Sequence, residues 1–571
     1  MRRRPGAAPR ESTTQHAQRP PSQCRSAEVC SEGLHRASRK RSQPNTEVFL
    51  PDCRGAIANT SVRIVLSTRD MNTTLRRGDS RRLAVGRRSE ADFLGRFPEY
   101  AETAFLDDVR AREFRRLDDT QEIYLDYVGA HLYPHSLVQS HAEELCGAVY
   151  GNPHSSSPAA TRASASCEDA RSAVKTFFHD TADEYVVVFC ANATAALKLV
   201  GESYPFQRNG ELLLTADNHN SVNGIREFAR QKGCAFNYSP VHPDSMRLAR
   251  EDVVQRLERP AAGGPRLFVF PAQSNFSGIR HDLRLVEVAQ QAGWQVLLDA
   301  AAFAPTGRLD LAVVRPDFVV ASFYKMFGYP TGVGCVLAKR AALNGLCRPW
   351  FSGGTVEVAS VGGDGHVLSS AEAGFEDGTV NFLSLSAVRR GLQFLERLGM
   401  SKIHARVSAL TSWTLEHMLS LRHTSGRSLV RVYGSEDARD RGATIAFNLS
   451  DPAGKPWFYD EVEREAAASK ISLRGGCFCN PGAAEAAFGI SPETVRALFE
   501  QQKPVSYDVF VALLRTQGVA GALRVSFGYP SNFADAESLL DFIASYVDRP
   551  NGRSRSCDQF ATPLGTRTKE D

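Results

Sequence analysis

The chain has 571 residues, 42% of them hydrophobic, which is enough for two or more domains with buried cores. Residues 1–88 contain 18 Arg and one Lys against seven acidic residues. Their net charge of +12, set against the total of +4, leaves −8 for residues 89–571. This acidic remainder argues against nucleic acid as a partner. No apolar run approaches the roughly 18 residues that a membrane span needs.

Residues 1–88 also differ from the rest in their pattern. They are rich in Arg, Ser, Thr and Pro and show no sustained apolar period, which predicts a disordered segment. The composition is also typical of an organellar transit peptide, although the seven acids and the lack of a clear amphipathic helix near Met1 count against this, and Met71 is an alternative start. We therefore expect a cytoplasmic protein, with an organelle as the alternative, that folds without residues 1–88.

Residues 89–145 begin with a helical stretch of mixed charge that runs through Phe114. A short predicted strand, Tyr124–Val128, follows it. We predict that this segment forms the N-terminal part of a smaller domain.

Between residues 146 and 390, short apolar runs alternate with helical patterns, and each run ends in small and polar residues. The runs are Tyr185–Cys190, Leu212–Thr215, Leu267–Phe270, Val296–Leu298 and Phe318–Ala321. This alternation predicts an α/β domain with a mostly parallel sheet and helices on both faces. The polar residues after the runs would then meet at one edge of the sheet, where such folds bind ligands.

Lys325 stands just beyond the last of these runs. Partial burial there lowers the pKa of a lysine and frees its amine to form a Schiff base, although a solvated lysine is the simpler alternative. Asp299 directly follows Leu298. Its carboxylate could keep the ring nitrogen of pyridoxal phosphate (PLP) protonated, or it could cap a helix.

Three further residues suit the same cofactor. Thr194 lies where a strand turns into a helix, so it could hold the phosphate together with nearby N–H groups, or act as a cap. His219 could stack on the ring or be packed in the core. Asn275 could bond the ring hydroxyl or make a turn. Together with Lys325 and Asp299 these residues predict a PLP-binding domain at 146–390.

Residues 391–548 predict a smaller α+β domain. Two helical patterns, Leu385–Leu398 and Ile403–Leu421, lie at its start, and its predicted strands are Thr444–Phe447, Ile471–Arg474 and Leu523–Ser526. Arg524 lies in an alternating strand pattern, so it is either on a solvated face or a bidentate clamp for a substrate carboxylate. Residues 549–571 have the composition of a polar tail.

The twelve cysteines are scattered and form neither a disulfide framework nor paired zinc knuckles. Cys477 and Cys479 stand out because they lie on a glycine-rich loop, close to Arg474, which would favour a thiolate. Half of a metal site is the rival interpretation, but a second cluster to complete four ligands is missing, so we predict no metal. We expect Cys479, beside the Asn-Pro-Gly turn, to be the accessible thiol and Cys477 to be packed.

Several motifs together resemble molybdenum cofactor sulfurases. More narrowly, they are similar to the N-terminal cysteine-desulfurase domain of that family, which is a class V aminotransferase type of PLP enzyme. The resemblance covers about residues 90–548, and the motifs are Tyr124-Leu125-Asp126-Tyr127, Gly151-Asn152-Pro153-His154-Ser155, Gln273-Ser274-Asn275-Phe276-Ser277-Gly278, Ser322-Phe323-Tyr324-Lys325, Phe375-Glu376-Asp377-Gly378-Thr379 and Gly476-Cys477-Phe478-Cys479-Asn480.

The resemblance implies a fold-type I PLP enzyme that takes sulfur from L-cysteine, releases alanine and supplies the sulfur to molybdenum cofactor held on another domain or chain. It implies a homodimer in which Thr379 reaches the phosphate bound by the neighbouring subunit. It further implies that Lys325 attaches PLP and that Ser322 and Thr194 bind its phosphate. By the same resemblance, Arg524 and Asn275 bind the substrate and Cys479 carries the sulfur.

The chain departs from this family at two places. Gly482-Ala483-Ala484-Glu485 stands where the family often has a third cysteine, and only about two dozen residues follow residue 548, where a cofactor-binding domain would continue. Another class V PLP reaction (an aminotransferase or a cysteine lyase) and a non-catalytic scaffold are the alternatives. Incubation with L-cysteine would distinguish them.

Overall fold

The computed structural model describes residues 88–260, 262–501 and 521–551. The predicted tails at 1–88 and 549–571 therefore lie almost wholly outside the described residues. The strands in chain order, β1 to β15, are Ile123–Tyr124, Tyr185–Cys190, Glu211–Thr215, Ala235–Ser239, Arg266–Pro271, Gln295–Asp299, Phe318–Ser322, Gly334–Lys339, Val356–Ser360, Gly365–Leu368, Val430–Tyr433, Thr444–Leu449, Ile471–Ser472, Arg474–Gly476 and Ala522–Ser526.

The α-helices, α1 to α19, surround these strands. In chain order they are Glu90–Arg96, Pro98–Ala101, Phe105–Glu113, Arg116–Thr120, His135–Gly147, Pro158–Phe177, Ala193–Ser203, Asn220–Asn223, Ile225–Gln231, Arg250–Leu257, Leu285–Gln291, Phe323–Phe327, Arg340–Asn344, Phe382–Leu398, Met400–Ser420, Tyr459–Ala468, Pro481–Phe488, Pro492–Gln501 and Phe533–Ala544. Within the described residues, none of the helices is long and apolar enough to cross a membrane.

A seven-stranded sheet forms the centre of the larger part of the molecule. Its strand order is β2-β8-β7-β6-β5-β3-β4, and only β8 runs antiparallel to its neighbours. The side chains of β7 are all buried, as a continuous run of apolar and β-branched residues requires for a strand that is covered on both faces. The predicted α/β fold with a mostly parallel sheet is confirmed.

Two cores cover the faces of this sheet because the side chains of each strand alternate. In β2, Val187 and Phe189 belong to the core that includes α6 and α14, whereas Val186 and Val188 belong to the core with α7 and α9. Replacing a side chain as fully buried as Val188 by alanine would remove methyl groups from a closely packed core and cost stability.

A four-stranded antiparallel sheet, β11-β12-β15-β14, builds a third core with helices α15, α16 and α19. The predicted strand Tyr124–Val128 is wrong in extent: only Ile123–Tyr124 is a strand, and it pairs in parallel with β13. The predicted strand Ile471–Arg474 is interrupted at Leu473, because residues 471–472 pair with β1 while residues 474–476 pair with β15. The proposed boundaries place the seven-stranded sheet within 146–390 and the four-stranded sheet within 391–548.

Candidate active site

The carboxyl ends of the parallel strands carry the candidate site, and Lys325 lies at its centre on the short helix α12, directly after β7. Gly328 ends this helix with φ +79°, and a side chain there would collide with the backbone of Tyr133, so glycine permits a close approach. Lys325 is partly buried, and this burial lowers the pKa of its amine below the usual value for lysine. A neutral amine at this position can act as a base or as a nucleophile.

Asp299 lies close enough to Lys325 to raise its pKa, and Lys325 in turn acts on His219. Asp299 ends β6 as a buried residue, and its Oδ1 accepts a hydrogen bond from the backbone N–H of Ala301 at 2.9 Å. Burial and the positive charge of Lys325 lower the pKa of His219, while Asp299 opposes this effect. The imidazole, the carboxylate and the amine thus lie together at this edge, where the sequence analysis placed them.

The amino end of α7 forms a group of donors next to this cluster. Asn192 caps the helix by accepting from Ala195 N–H, so the alternative that Thr194 is the cap is wrong. The Ser322 hydroxyl accepts from Ala193 N–H at 2.8 Å, and the Thr194 hydroxyl is bonded to Ser221 at 2.8 Å. A helix amino terminus with hydroxyl groups around it suits a phosphate.

Arg524 lies on β15, and this strand is buried along its whole length rather than alternating, so the alternative of a solvated face is wrong. Its guanidinium donates to the Asp126 carboxylate at 2.8 Å and to the backbone oxygen of Asn275 at 2.9 Å. The Nε of Arg524 is buried and has no hydrogen-bond partner among the described residues. Arg474, which is half-exposed, donates to the other oxygen of Asp126 at 2.8 Å. Asp126 thus joins two guanidinium groups that both act on Lys325.

The two loop cysteines differ in their surroundings as we expected. Cys479 is exposed, whereas Cys477 packs against the core, and burial raises the pKa of its thiol to about 11. Phe478 and Cys479 both have left-handed backbone angles, φ 54° and 55°. For residues with a side chain this conformation costs about 1–2 kcal/mol each, so other contacts must hold the loop. The Phe478 ring lies 4.5 Å under the guanidinium carbon of Arg524.

Asn275 connects the cofactor edge to this loop. Its side-chain amide donates to the Phe478 backbone oxygen at 2.8 Å and accepts from the side chain of Asn480 at 2.9 Å. One amide hydrogen of Asn275 is used in this way, and the second is the one that could bond a ring hydroxyl. Sequence reasoning had not assigned this contact or the role of Asp126, although both residues lie in motifs that it singled out.

Thr379 lies at a cavity that is not part of the group around Lys325. It is exposed, accepts from Asn152 at 3.3 Å, and lines a cavity of about 360 Å³ together with residues of β2 and α7. Lys325 and Asp299 do not line this cavity. The loop that carries Thr379 is fixed by Glu376, whose buried carboxylate accepts two hydrogen bonds from Arg171 at 2.7 Å.

The residues at the strand ends fit PLP by their chemistry. A partly buried amine of lowered pKa suits the aldehyde, a buried carboxylate suits the ring nitrogen, and the amino end of α7 suits the phosphate. The unpartnered Nε of the buried Arg524 leaves a donor for a carboxylate. Among the described residues, there is no group of three or more His, Cys, Asp or Glu side chains that could hold a metal ion.

Similarity to known proteins gives the family of this chain. The family model described as aminotransferase class-V matches residues 123–539. The chain is 36% identical over 470 residues to a molybdenum cofactor sulfurase of Solanum lycopersicum, covering 77% of this chain and 57% of that protein. It is 37% identical over 461 residues to that of Homo sapiens, covering 77% and 51%. The chain thus spans about half the length of the curated relatives that it matches.

Two solved structures share the fold. A cysteine desulfurase from Thermococcus onnurineus NA1 superposes with a TM-score of 0.64 at 22% identity, covering 77% of this chain and 98% of that one. The cysteine desulfurase CsdA from Escherichia coli superposes with a TM-score of 0.60, also at 22% identity and with the same two coverages. The family model matches well over half of the chain. The chain therefore belongs to the class V aminotransferase family.

Proposed function

We propose that this chain is a PLP-dependent cysteine desulfurase of the molybdenum cofactor sulfurase type. The observation that carries the proposal is that the loop of the exposed Cys479 contacts Arg524, whose guanidinium carbon lies 4.5 Å from the centre of the Phe478 ring and whose charge also acts on Lys325. A lysine alone would fit any PLP enzyme, whereas a desulfurase also needs a thiol at the same site. The sulfurases and desulfurases among the similar proteins support this reading.

The residues that would hold PLP come from several strand ends, and each offers one kind of contact. Lys325 would form the covalent link, and Asp299 would bind the ring nitrogen. His219 would stack on the ring face, and Asn275 would bond the ring hydroxyl. Ser322 and Thr194 would bind the phosphate. When bound, PLP supplies an electron sink for negative charge at the α-carbon of the substrate. Thr379 would complete the phosphate site of a second subunit, so we propose a homodimer.

L-cysteine would bind with its carboxylate on Arg524. The amine of Lys325 then takes the proton from the α-carbon. The thiolate of Cys479 attacks the sulfur of the substrate, so that an S–S bond forms and the C–S bond breaks. The electron pair of the C–S bond passes to the β-carbon, which takes up the proton lost from the substrate thiol, and Lys325 returns its proton to the α-carbon, so that alanine leaves. Cys479 keeps the sulfur as a persulfide, for transfer to molybdenum cofactor on another domain or chain.

Incubation of the PLP-loaded protein with L-cysteine tests this function. Alanine together with protein-bound sulfane sulfur is the expected result. Pyruvate and ammonia would instead identify a cysteine lyase, and transfer of the amino group to a keto acid would identify an aminotransferase. If the PLP-loaded protein shows no turnover, the non-catalytic scaffold is the interpretation that remains. Lys325→Ala should abolish turnover and borohydride-trapped PLP together.

The two loop cysteines provide a matched pair of variants. Cys479→Ala should keep bound PLP, since no thiol contributes to binding it, and should lose alanine release by orders of magnitude. Cys477→Ala should retain most of the activity, because Cys477 is packed and its thiol pKa of about 11 leaves little thiolate at neutral pH. Mass spectrometry after a pulse of L-cysteine should find the added sulfur on Cys479. Sulfur found on Cys477 would reverse the assignment.

A further inference from the structure

The loop that carries Cys479 is held in an unfavourable backbone conformation, since Phe478 and Cys479 are both left-handed. Three hydrogen bonds to backbone oxygens of the loop fix it. Asn480 N–H donates to the Cys477 oxygen at 2.9 Å, and the N–H of Asn220 donates to the Cys479 oxygen at 2.7 Å. The Asn275 side chain donates to the Phe478 oxygen, as described above. The position of the thiol therefore depends on contacts from distant parts of the chain.

The side chain of Asn480 connects these contacts. It is completely buried, and its Nδ2 donates to the Asp217 backbone oxygen at 2.6 Å and to Asn275 Oδ1 at 2.9 Å. Its Oδ1 accepts from Ala483 N–H at 3.2 Å and so caps helix α17. Both amide hydrogens and the carbonyl oxygen are used. Aspartate would lack the donors, and serine has only one and is shorter.

The start of α17 also approaches the end of β3 very closely. A side chain at Gly482 would collide with the backbone oxygen of Ala216, which precedes Asp217. The Asn480 amide therefore joins two backbones that are already in contact, next to His219. A small displacement of this junction would move the neighbouring Cys479 relative to the strand ends.

We infer that Asn480 is the positioning residue for Cys479: it fixes the thiol at the reaction site, without itself touching the substrate or PLP. This inference rests on the proposed function, because it concerns the residue that receives the sulfur. Asn275, which would bond the ring hydroxyl, is also a hydrogen-bond partner of Asn480. The residue proposed for the ring hydroxyl and the residue that holds the thiol loop are thus joined by one hydrogen bond, while PLP itself has several other contacts in the proposed site.

Asn480→Asp tests the inference, because it keeps the size of the side chain and the acceptor that caps α17 but removes both donors. We expect unchanged PLP content and a KM for L-cysteine within twofold of the wild type, since Arg524 is untouched. The rate of alanine release should fall at least tenfold. Asn532→Asp is the matched control, because Asn532 caps α19 through Asp535 N–H in the same way. It should leave the rate unchanged.

A small thiol such as 2-mercaptoethanol separates a positioning role from a general loss of structure. It can attack the substrate sulfur in place of a displaced or absent Cys479, so it should restore alanine release both in Asn480→Asp and in Cys479→Ala. If Asn480→Asp does not retain PLP, Asn480→Ser gives the same comparison without an added charge. Alanine release by either PLP-loaded variant within twofold of the wild type overturns the inference, as does a fall that the thiol does not restore. A wild type that yields no persulfide overturns the proposed function instead.

Discussion

Acid should destabilise this protein through His131, which is 4% exposed and stacked on Tyr529 with the ring centroids 4.4 Å apart. Its Nδ1 is bonded to the backbone oxygen of Leu132 at 2.6 Å, and its Nε2 is buried without a partner among the described residues. Burial, with a smaller contribution from the positive charge of Arg116, lowers the pKa of His131 from 6.5 to about 4. A proton on Nε2 would have no acceptor.

The sign and size of the effect follow from this pKa. Between pH 6.5 and about 4 the unfolded chain binds a proton at His131 that the folded protein does not, so stability falls as the pH decreases. Over the range from pH 8 to pH 5 the loss is about 2 kcal/mol from this residue. His404 has a pKa lowered to about 4 by burial and by Arg280, and it should contribute a loss of similar size.

Urea unfolding at pH 8 and pH 5 measures this loss. His131→Asn keeps a donor for the Leu132 oxygen and cannot titrate, so its loss of stability between the two pH values should be smaller than that of the wild type by about 2 kcal/mol. His135→Asn, at an exposed position on α5, is the control and should behave like the wild type. Equal losses in the wild type and in His131→Asn would refute the reasoning.

Three other predictions concern charges at or near the site. Glu376→Gln should lower the free energy of unfolding by about 3 kcal/mol, because it removes the buried counter-charge of Arg171 and leaves only the exposed Glu168 beside it; a double variant with apolar residues at 171 and 376 should recover most of this. A cost of the single change below about 1 kcal/mol in urea unfolding would contradict it. Lys325→Met should raise the Tm of the PLP-free protein at pH 7, because burial penalises the protonated amine in the folded state, as its lowered pKa shows. The gain should shrink toward pH 10, where the unfolded chain also begins to lose this proton; a lower Tm at pH 7 would be inconsistent with a destabilising lysine. Asp126→Asn should shift borohydride-trapped PLP incorporation to lower pH, because Asp126 raises the pKa of Lys325 and opposes the effect of Arg524; an unchanged pH profile would argue against this coupling.

The local pattern of the sequence determined the strands and their ends. The predicted run Tyr185–Cys190 coincides with β2, and the other predicted runs of the sheet lie within observed strands, because a continuous apolar run has few ways to be buried except as an inner strand. Lys325, Asp299 and His219 could therefore be assigned to one edge without knowledge of the structure. The difference between Cys477 and Cys479 was also predictable, since the Asn-Pro-Gly sequence ends regular extension.

The tertiary structure alone decided how the residues at this edge are held. The Arg524–Asp126 pair joins residues 398 positions apart, and the contact of Asn480 with Asp217 spans 263 positions. The strand pattern around Arg524 left a solvated face and a carboxylate clamp as alternatives, but Asp126 and the backbone of Asn275 contact it, so that Arg524 is buried with a carboxylate beside it. Periodicity reports only on neighbours along the chain. Contacts over hundreds of residues depend on how separate elements pack, and the free energy of burying a charge then selects its partner.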